Sequence, residues 1–427
     1  MSEYRGYFGK SLEFLKQFNV IVGDDVDINA EINYQGTIMP RYEHTDDKHI
    51  ALKLKNGYNI GIEIKTIKDI KKISIQEKIK EEMIAPSFVE GLPKILLLST
   101  GGTIASKIDY RTGAVTPIIS AQELHSSVPE LSKIANIETE VLFAEYSENI
   151  VPEHWIQIAK RISTINQSDY DGVIIAHGTD TMHYTSAFLS FALNGFSIPI
   201  VLVGSQRSSD RASSDAALNL IGATRLIVEK KPNGVYIVMH ENENDNTIAC
   251  HLGTRVRKNH TSKRGAFQTI GDKPAFVISE NEITSNNKEI LNNQFEPKIN
   301  LEKKIALVKY YPGFDTEILE KIIEMNFQGI IFEGTGLGHI GKTMYESIKK
   351  ASQKQMFLGM TSQCIDGRVS MTVYESGRDL LNLGIIPLKN MLPEVALVKA
   401  MWAKANSKDL KDMKEIMLKN FAHELTE

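Results

Sequence analysis

This 427-residue sequence has few cysteines and lacks long hydrophobic runs. Its two cysteines, Cys250 and Cys364, match no metal-ligand spacing and favour a reducing compartment. No apolar run reaches the length of a membrane span, and residues 1–16 lack the apolar segment of a secretory signal. We therefore expect a cytoplasmic protein that does not engage a membrane.

An excess of charge of one sign is also missing. Lys and Arg number 49 and Asp and Glu number 53, which gives a formal net charge of −4. A protein that binds a nucleic-acid backbone alone usually presents a basic surface, so we expect any nucleic-acid role to be shared or indirect. With 29 glycines and 13 prolines the chain is neither collagen-like nor of low complexity, and its length predicts two or three domains.

Residues 1–93 have the pattern of a small β domain. Apolar and polar residues alternate along 32–42, 49–64 and 71–75, and turn residues separate these stretches. Such alternation predicts an antiparallel sheet or a small barrel. The sequence Glu-Gly-Leu-Pro at 90–93 then breaks the pattern.

The remainder predicts an α/β protein with two lobes. Short, wholly apolar runs alternate with helix-like stretches, which is typical of parallel sheets covered on both faces. The runs lie at 94–100, 172–176, 198–203 and 234–239, and then at 305–308, 329–332 and 356–360. A polar stretch at 281–300 is interpreted as a linker, and 407–427 as an amphipathic helix. The predicted domains are 1–93, a large lobe over 94–298 and a smaller lobe over 299–427.

Two strand ends carry hydroxyl groups where ligands of such sheets bind. In Ser-Thr-Gly-Gly-Thr-Ile-Ala (99–105), Thr103 is a candidate nucleophile, with turn amides as oxyanion donors. In Ala-His-Gly-Thr-Asp-Thr (176–181), Thr179 and Asp180 suggest substrate binding and nucleophile activation. Taken alone, each motif is equally an ordinary turn with a helix cap. We interpret His177 as a structural histidine.

Two further motifs contain a lysine. Lys258, in Arg255–Thr261, becomes a base only if burial or a neighbour lowers its pKa, and taken alone this stretch reads as a solvated basic loop. Residues 336–343 match both G-x-G-x-x-G and G-x-x-x-x-G-K-[ST], which are phosphate-binding patterns. We favour a strand-to-helix turn with Lys342 exposed, because few residues follow it and no acidic strand end lies about 20 residues further on.

Taken together, these motifs resemble the L-asparaginase family over residues 94–427, including 201–207, 215–219 and Tyr-Pro-Gly at 311–313. The resemblance implies a two-lobed asparaginase/glutaminase-like fold and an amidohydrolase without a metal. The implied roles are an acylated nucleophile at Thr103, its orienting tyrosine at Tyr110, an activating set at Thr179, Asp180 and Lys258, and substrate-binding residues at Ser147 and Glu148. Asparaginases often carry Gln at the position of Glu148, whose charge would lie beside the substrate ammonium group.

The front domain sets this chain apart from free asparaginases. Together with 145–150, 204–219 and 333–339, it resembles the D-type subunit family of the archaeal glutamyl-tRNA(Gln) amidotransferases. That resemblance implies glutamine hydrolysis, with ammonia passing to an E-type partner that uses ATP, with magnesium, to amidate Glu-tRNA(Gln). It also implies a dimer of heterodimers, with tRNA bound mainly by the partner and no cofactor in this chain. We expect the front domain to help dock the partner or the tRNA.

Three alternatives remain open from the sequence. The chain could be a free L-asparaginase with an accessory domain, a nucleotide-binding protein that uses 336–343, or a scaffold without turnover. Glutamine exceeds asparagine by one methylene, which a pocket discriminates by only about 1–3 kcal/mol, so the sequence does not choose between the two amides.

Overall fold

The computed structural model describes residues 3–4, 6–41, 45–54, 59–73, 88–102, 104, 106–109, 114–117, 128–207, 214–286 and 294–426. The α-helices of these residues are α1 Gly9–Gln17, α2 Pro152–Ser163, α3 Met182–Ala192, α4 Ala216–Lys230, α5 Thr316–Glu324, α6 Tyr345–Gln353, α7 Glu375–Asn382, α8 Pro393–Asn406 and α9 Leu410–Leu418. The strands are β1 Asp25–Asn29, β2 Asn33–Ile38, β3 His49–Leu54, β4 Asn59–Glu63, β5 Asp69–Lys72, β6 Lys94–Ser99, β7 Ser106–Asp109, β8 Ala114–Pro117, β9 Asn136–Val141, β10 Gly172–Ala176, β11 Ile200–Val203, β12 Val235–His240, β13 Thr247–Leu252, β14 Val256–Lys258, β15 Phe267–Thr269, β16 Phe276–Ser279, β17 Ile283–Ser285, β18 Ile305–Lys309, β19 Gly329–Gly334, β20 Phe357–Ser362 and β21 Ile386–Pro387.

The front domain is a five-stranded antiparallel sheet in the order β4-β3-β2-β1-β5. Buried residues of all five strands, among them Val26, Ile38, Ile50, Ile62 and Ile70, contribute to one core that is separate from the rest of the chain. The predicted small β domain is confirmed. Among the described residues no ladder joins the edge strands β4 and β5, so the barrel-like sheet is open there.

The large lobe contains an eight-stranded sheet in the order β17-β16-β13-β12-β11-β10-β6-β9. The five neighbouring strands β12, β11, β10, β6 and β9 are parallel. Strands β13, β16 and β17 each pair antiparallel with their neighbours. Along β6, Leu96 and Leu98 enter one core while Ile95 and Leu97 enter the other, because successive side chains point to opposite faces. Burial on both faces explains the continuous apolar runs and confirms the four strands predicted in this lobe.

The predicted linker is partly wrong. Its residues 283–285 form β17, which pairs with β16, and Ile283 is buried in the large-lobe core. The backbone N–H of Ser279 donates to the carbonyl of Glu282 at 2.9 Å and closes a tight turn before this strand. This three-residue strand contains one apolar residue, which leaves no alternation to recognise. Residues 287–293 lie outside the described residues.

The small lobe is a four-stranded parallel sheet in the order β18-β19-β20-β21, and its three predicted strands are confirmed. Helix α8 packs against α3 of the large lobe, and the rings of Trp402 and Phe191 lie 5.6 Å apart. Residues of both lobes therefore share one hydrophobic core. The two-lobed α/β fold is confirmed, whereas the boundaries at 93 and 298 stay predictions.

The chain end corrects a second prediction, because only Leu410–Leu418 of the predicted tail helix is helical. The following residues turn inward, and the fully buried carboxylate of Glu424 accepts from the Lys399 ammonium at 2.6 Å and from the backbone N–H of Ala422 at 2.7 Å. Burial lowers the pKa of Lys399, and the Glu424 carboxylate opposes that effect. A buried charge that needs these partners fixes the segment in a non-helical path.

Removing one member of this buried pair should destabilise the fold. In Lys399→Met the Glu424 carboxylate would stay buried without its cation, which typically costs about 3–5 kcal/mol. We expect the Tm in a thermal unfolding scan to fall by at least about 5 °C. The matched control is Lys321→Met, which removes an exposed pair with Glu324 and should leave Tm unchanged. Equal Tm values for the two variants would contradict this role of the pair.

Candidate active site

Two turns meet at the carboxyl edge of the large sheet because β6 and β10 are parallel neighbours in register. Ser99 at the end of β6 lies opposite Ala176 at the end of β10. The backbone N–H and the hydroxyl of Thr100 both donate to the Ala176 carbonyl, at 3.0 and 2.9 Å. The chain therefore leaves both strands at the same point, where ligands of parallel sheets bind.

Gly102 in the first turn is required because the second turn approaches it closely. Gly102 has a φ of +79°, and a Cβ atom there would lie 2.6 Å from the backbone nitrogen of Gly178. Any larger residue would push the two turns apart. The next residue, Thr103, lies outside the described residues, and so does Tyr110.

Lys258 joins the second turn from another part of the chain. Its Nζ donates to Thr179 Oγ1 at 2.9 Å and to Asp180 Oδ1 at 2.6 Å. The Lys258 side chain is only 9% exposed, whereas that of Asp180 is 62% exposed. The solvated-loop interpretation of Lys258 is therefore wrong, because the lysine is covered while its carboxylate partner faces solvent.

A small hairpin carries this lysine. β14 pairs with β15, and Lys258 lies opposite Phe267, which is buried. Val256 on the same strand is also buried, in the core that the two lobes share. Val256 and Lys258 are two positions apart and share one face of the strand, which leads from the core to the site.

The segment after β9 supplies a third turn to the site. Ser147 is buried, and its hydroxyl oxygen accepts the backbone N–H of Asp180 at 3.3 Å. Its carbonyl accepts the hydroxyl of Thr181 at 2.7 Å. Glu148 follows in the same 3₁₀ turn, Ser147–Asn149, and is exposed. Of the predicted site residues, the structure therefore brings together Ser147, Thr179, Asp180 and Lys258, with Glu148 beside them.

His177 is structural, as predicted. The ring is fully buried, with Nδ1 at 2.7 Å from the Gly178 carbonyl and Nε2 at 2.9 Å from the Thr185 hydroxyl. Burial lowers the pKa of His177 to about 4, so the ring is neutral at pH 7 and holds the turn to helix α3.

A buried hydrogen-bond network lies beneath the loop that follows β11, and the sequence motifs assigned it no role. Asp215 accepts the backbone N–H groups of Gln206 and Arg207, each at 3.0 Å, and Asn219 Nδ2 donates to it at 3.1 Å. Asn219 Oδ1 lies 2.7 Å from His240 Nδ1. The signal was the i, i+4 spacing of Asp215 and Asn219 at the start of α4, which places both on one helix face.

Residues 336–343 form the expected turn. Thr335 and His339 exchange backbone hydrogen bonds of 2.8 and 3.0 Å, and the 3₁₀ turn Lys342–Met344 leads into α6. Lys342 is exposed, which confirms that prediction. Within the described ranges, no cluster of three His, Cys, Asp or Glu side chains could hold a metal ion, and no helix is long and apolar enough to cross a bilayer.

Comparison with protein families gives three matches along the chain. The model described as "Asparaginase, N-terminal" matches residues 94–291, and the "Glutaminase/Asparaginase C-terminal domain" matches 304–417. The "GatD N-terminal domain" matches 20–73. Enzymes of the asparaginase family generally work without a cofactor.

Solved asparaginase structures and relatives from the amidotransferases are also similar to this chain. The thermostable L-asparaginase of Thermococcus kodakarensis superposes with a TM-score of 0.70 and 33% identity, covering 78% of this chain and 99% of its own. The probable cytoplasmic L-asparaginase of Campylobacter jejuni gives 0.65 and 27%, covering 77% and 100%. The D-type subunit of the glutamyl-tRNA(Gln) amidotransferase of Pyrococcus abyssi is 45% identical over 97% of both chains. That of Sulfolobus acidocaldarius is 46% identical over 98% of this chain and 95% of its own.

The two amidotransferase subunits thus match 97% and 98% of this chain, whereas the two asparaginase structures cover 78% and 77% of it. The chain belongs to the D-type subunit family of the glutamyl-tRNA(Gln) amidotransferases, which has an asparaginase-type body.

Proposed function

We propose that this chain is the glutaminase subunit of a tRNA-dependent amidotransferase. It hydrolyses glutamine and supplies ammonia to a partner subunit that converts Glu-tRNA(Gln) to Gln-tRNA(Gln). The observation that carries the proposal is the covered Lys258 ammonium, which bonds the Thr179 hydroxyl at 2.9 Å beside the open carboxylate of Asp180. The family of relatives that span the whole chain supplies the reaction.

The chemistry we propose has two steps. The Thr103 hydroxyl attacks the amide carbon, its proton passes to the amide nitrogen, and the C–N bond breaks to release ammonia. Water then cleaves the acyl-threonine and releases glutamate, so one difficult step becomes two easier ones. Lys258 and Thr179 relay the protons. The contact of Gly102 with Gly178 supports this assignment, because it brings the residue before Thr103 to the turn that carries Thr179.

An α-amino acid needs one pocket for its cation and one for its anion. We propose that Asp180 binds the α-ammonium group and that Ser147 and Glu148 bind the α-carboxylate and α-ammonium groups, with Tyr110 orienting the nucleophile. The hydrogen bond between Ser147 and the backbone of Asp180 supports a single pocket. Glu148 adds negative charge where the substrate ammonium would lie.

The remaining assignments concern the assembly. We propose an E-type amidotransferase subunit as partner, which binds ATP and magnesium and most of the Glu-tRNA(Gln), in a cytoplasmic heterotetramer of two heterodimers. The domains we propose are 1–93, 94–298 and 299–427, with 1–93 docking the partner or the tRNA. The net charge of −4 supports this division, because a basic partner would carry the tRNA-binding surface.

Replacing Lys258 tests the chemistry. Lys258→Met should lower kcat for ammonia release from glutamine by about 10²- to 10⁴-fold, because the proton relay is lost. The matched control is Lys263→Met in the following turn, which is exposed and should leave kcat unchanged. Coupled ammonia detection measures both variants. Undiminished turnover in Lys258→Met would refute the proposed mechanism.

Glu148 should act on binding rather than on the chemical step. Glu148→Gln keeps the shape but removes the charge that attracts the α-ammonium group, so KM for glutamine should rise at an almost constant kcat. The control is Glu153→Gln, an exposed carboxylate on α2. A fall in kcat without a change in KM would assign Glu148 a different role.

A reconstituted reaction separates the amidotransferase from a free asparaginase. The chain mixed with its E-type partner, ATP, magnesium, glutamine and Glu-tRNA(Gln) should form Gln-tRNA(Gln), as measured by chromatography of the released amino acid. The matched control omits the partner and should give no Gln-tRNA(Gln). Robust asparagine hydrolysis by the chain alone, with no amidation in the complete mixture, would favour the free asparaginase.

A further inference from the structure

The strand that carries Lys258 is held apart from the eight-stranded sheet. β14 has three residues, and its ladder partner in the described part of the chain is β15 alone. A two-stranded hairpin is marginally stable by itself. The position of the Lys258 ammonium therefore depends on the contacts that hold this hairpin to the body of the protein.

The side chain next to Lys258 provides such a contact with the small lobe. Arg257 and Lys258 are consecutive in β14, so their side chains leave opposite faces of the strand. Lys258 extends to Thr179 and Asp180, whereas Arg257 Nε lies 3.0 Å from Glu394 Oε1. Glu394 is in the first turn of α8, which belongs to the small lobe.

Without Arg257, the buried carboxylate of Glu394 would be costly in free energy. Glu394 is 7% exposed, and its Oε2 is buried without a hydrogen-bond partner among the described residues. Burial raises the pKa of Glu394, and the charge of Arg257 opposes that shift. Removal of the cation would leave a buried carboxylate to protonate or to move.

A second arginine ties the same hairpin to the same region. Arg255 is 1% exposed, and it donates to the Asn390 carbonyl at 3.0 Å and to the Ile270 carbonyl at 2.7 Å. Asn390 lies just before α8, and Ile270 follows β15. Arg255, the residue before β14, thus anchors the strand through two carbonyl groups, and Arg257 adds the charged contact nearest to the lysine.

We propose that Arg257 is a positioning residue, whose ion pair with Glu394 fixes β14 to the small lobe and thereby holds Lys258 Nζ between Thr179 and Asp180. This inference rests on the role of Lys258 in the proposed function. It assigns the small lobe a part in the reaction, although the lobe contributes none of the side chains of the Thr179, Asp180 and Lys258 set. A misplacement of about 1 Å can cost about 10²-fold in rate, so the effect is measurable.

The first experiment separates kcat from KM in the full-length chain, in complex with its partner. Arg257→Met should lower kcat by about 10- to 100-fold with KM for glutamine nearly unchanged. Arg257→Lys keeps a cation and should recover part of the loss. The matched control is Lys303→Met. It removes the exposed ion pair that Lys303 forms with Glu153 across the two lobes, and it should leave kcat unchanged.

A double-mutant cycle tests whether the arginine acts through the carboxylate. Glu394→Gln should lower kcat in the same direction, and Arg257→Met/Glu394→Gln should lose no more than Arg257→Met alone, because both changes break one interaction. Additive losses would overturn the proposal, as would wild-type kcat in Arg257→Met. A rise in KM alone would also overturn it, since Arg257 would then act on substrate binding.

A crystal structure of Arg257→Met makes failure of this inference distinguishable from failure of the proposed function. We expect the distance from Lys258 Nζ to Thr179 Oγ1 to lengthen from 2.9 Å beyond hydrogen-bond range. An unchanged distance would overturn the positioning role even if the wild-type protein hydrolyses glutamine. If the wild-type protein released no ammonia but the distance lengthened, the proposed function would fail while the positioning contact would stand.

Discussion

The parallel pairing of β6 with its two neighbours is the constraint from which the site is built. Ser99 at the end of β6 lies opposite Ala176 of β10 on one side and Val141 of β9 on the other. Three loops therefore leave the sheet at one edge, and they carry the Gly-Gly turn, the His-Gly-Thr-Asp turn and the Ser147 turn. Their packing is close enough that Gly102 tolerates no Cβ atom.

Lys258, which bonds Thr179 and Asp180, lies on the β14–β15 hairpin and not at that sheet edge. Lys258 arrives on a hairpin whose neighbouring arginines reach Asn390 and Glu394 of the small lobe. Helix α8, which carries Glu394, also packs on α3, which begins just after Asp180. The same helix thus borders both halves of the set, so a shift between the lobes would change the distance across it.

The local sequence pattern predicted the strands because burial on both faces of the sheet produces an uninterrupted apolar run, as in β6 and β10. It failed where one side chain decides the structure, as Ile283 does for β17 and Glu424 does for the chain end. The burial of Lys258 was also beyond local pattern, because it depends on residues 79 positions away in the chain. Family resemblance grouped Thr179, Asp180 and Lys258, and the structure places their side chains within hydrogen-bond distance, whereas Thr103 and Tyr110 lie outside the described residues.

Two lysine–carboxylate contacts in this protein have the same length and different consequences. Lys399 and Glu424 lie 2.6 Å apart and are both fully buried, so the pair is enclosed and fixes the chain end. Lys258 and Asp180 are also 2.6 Å apart, but the Asp180 side chain is 62% exposed. An ion pair with one open member contributes little to stability. In the proposed mechanism the exposed carboxylate binds the substrate cation while the covered ammonium stays hydrogen-bonded to the Thr179 hydroxyl.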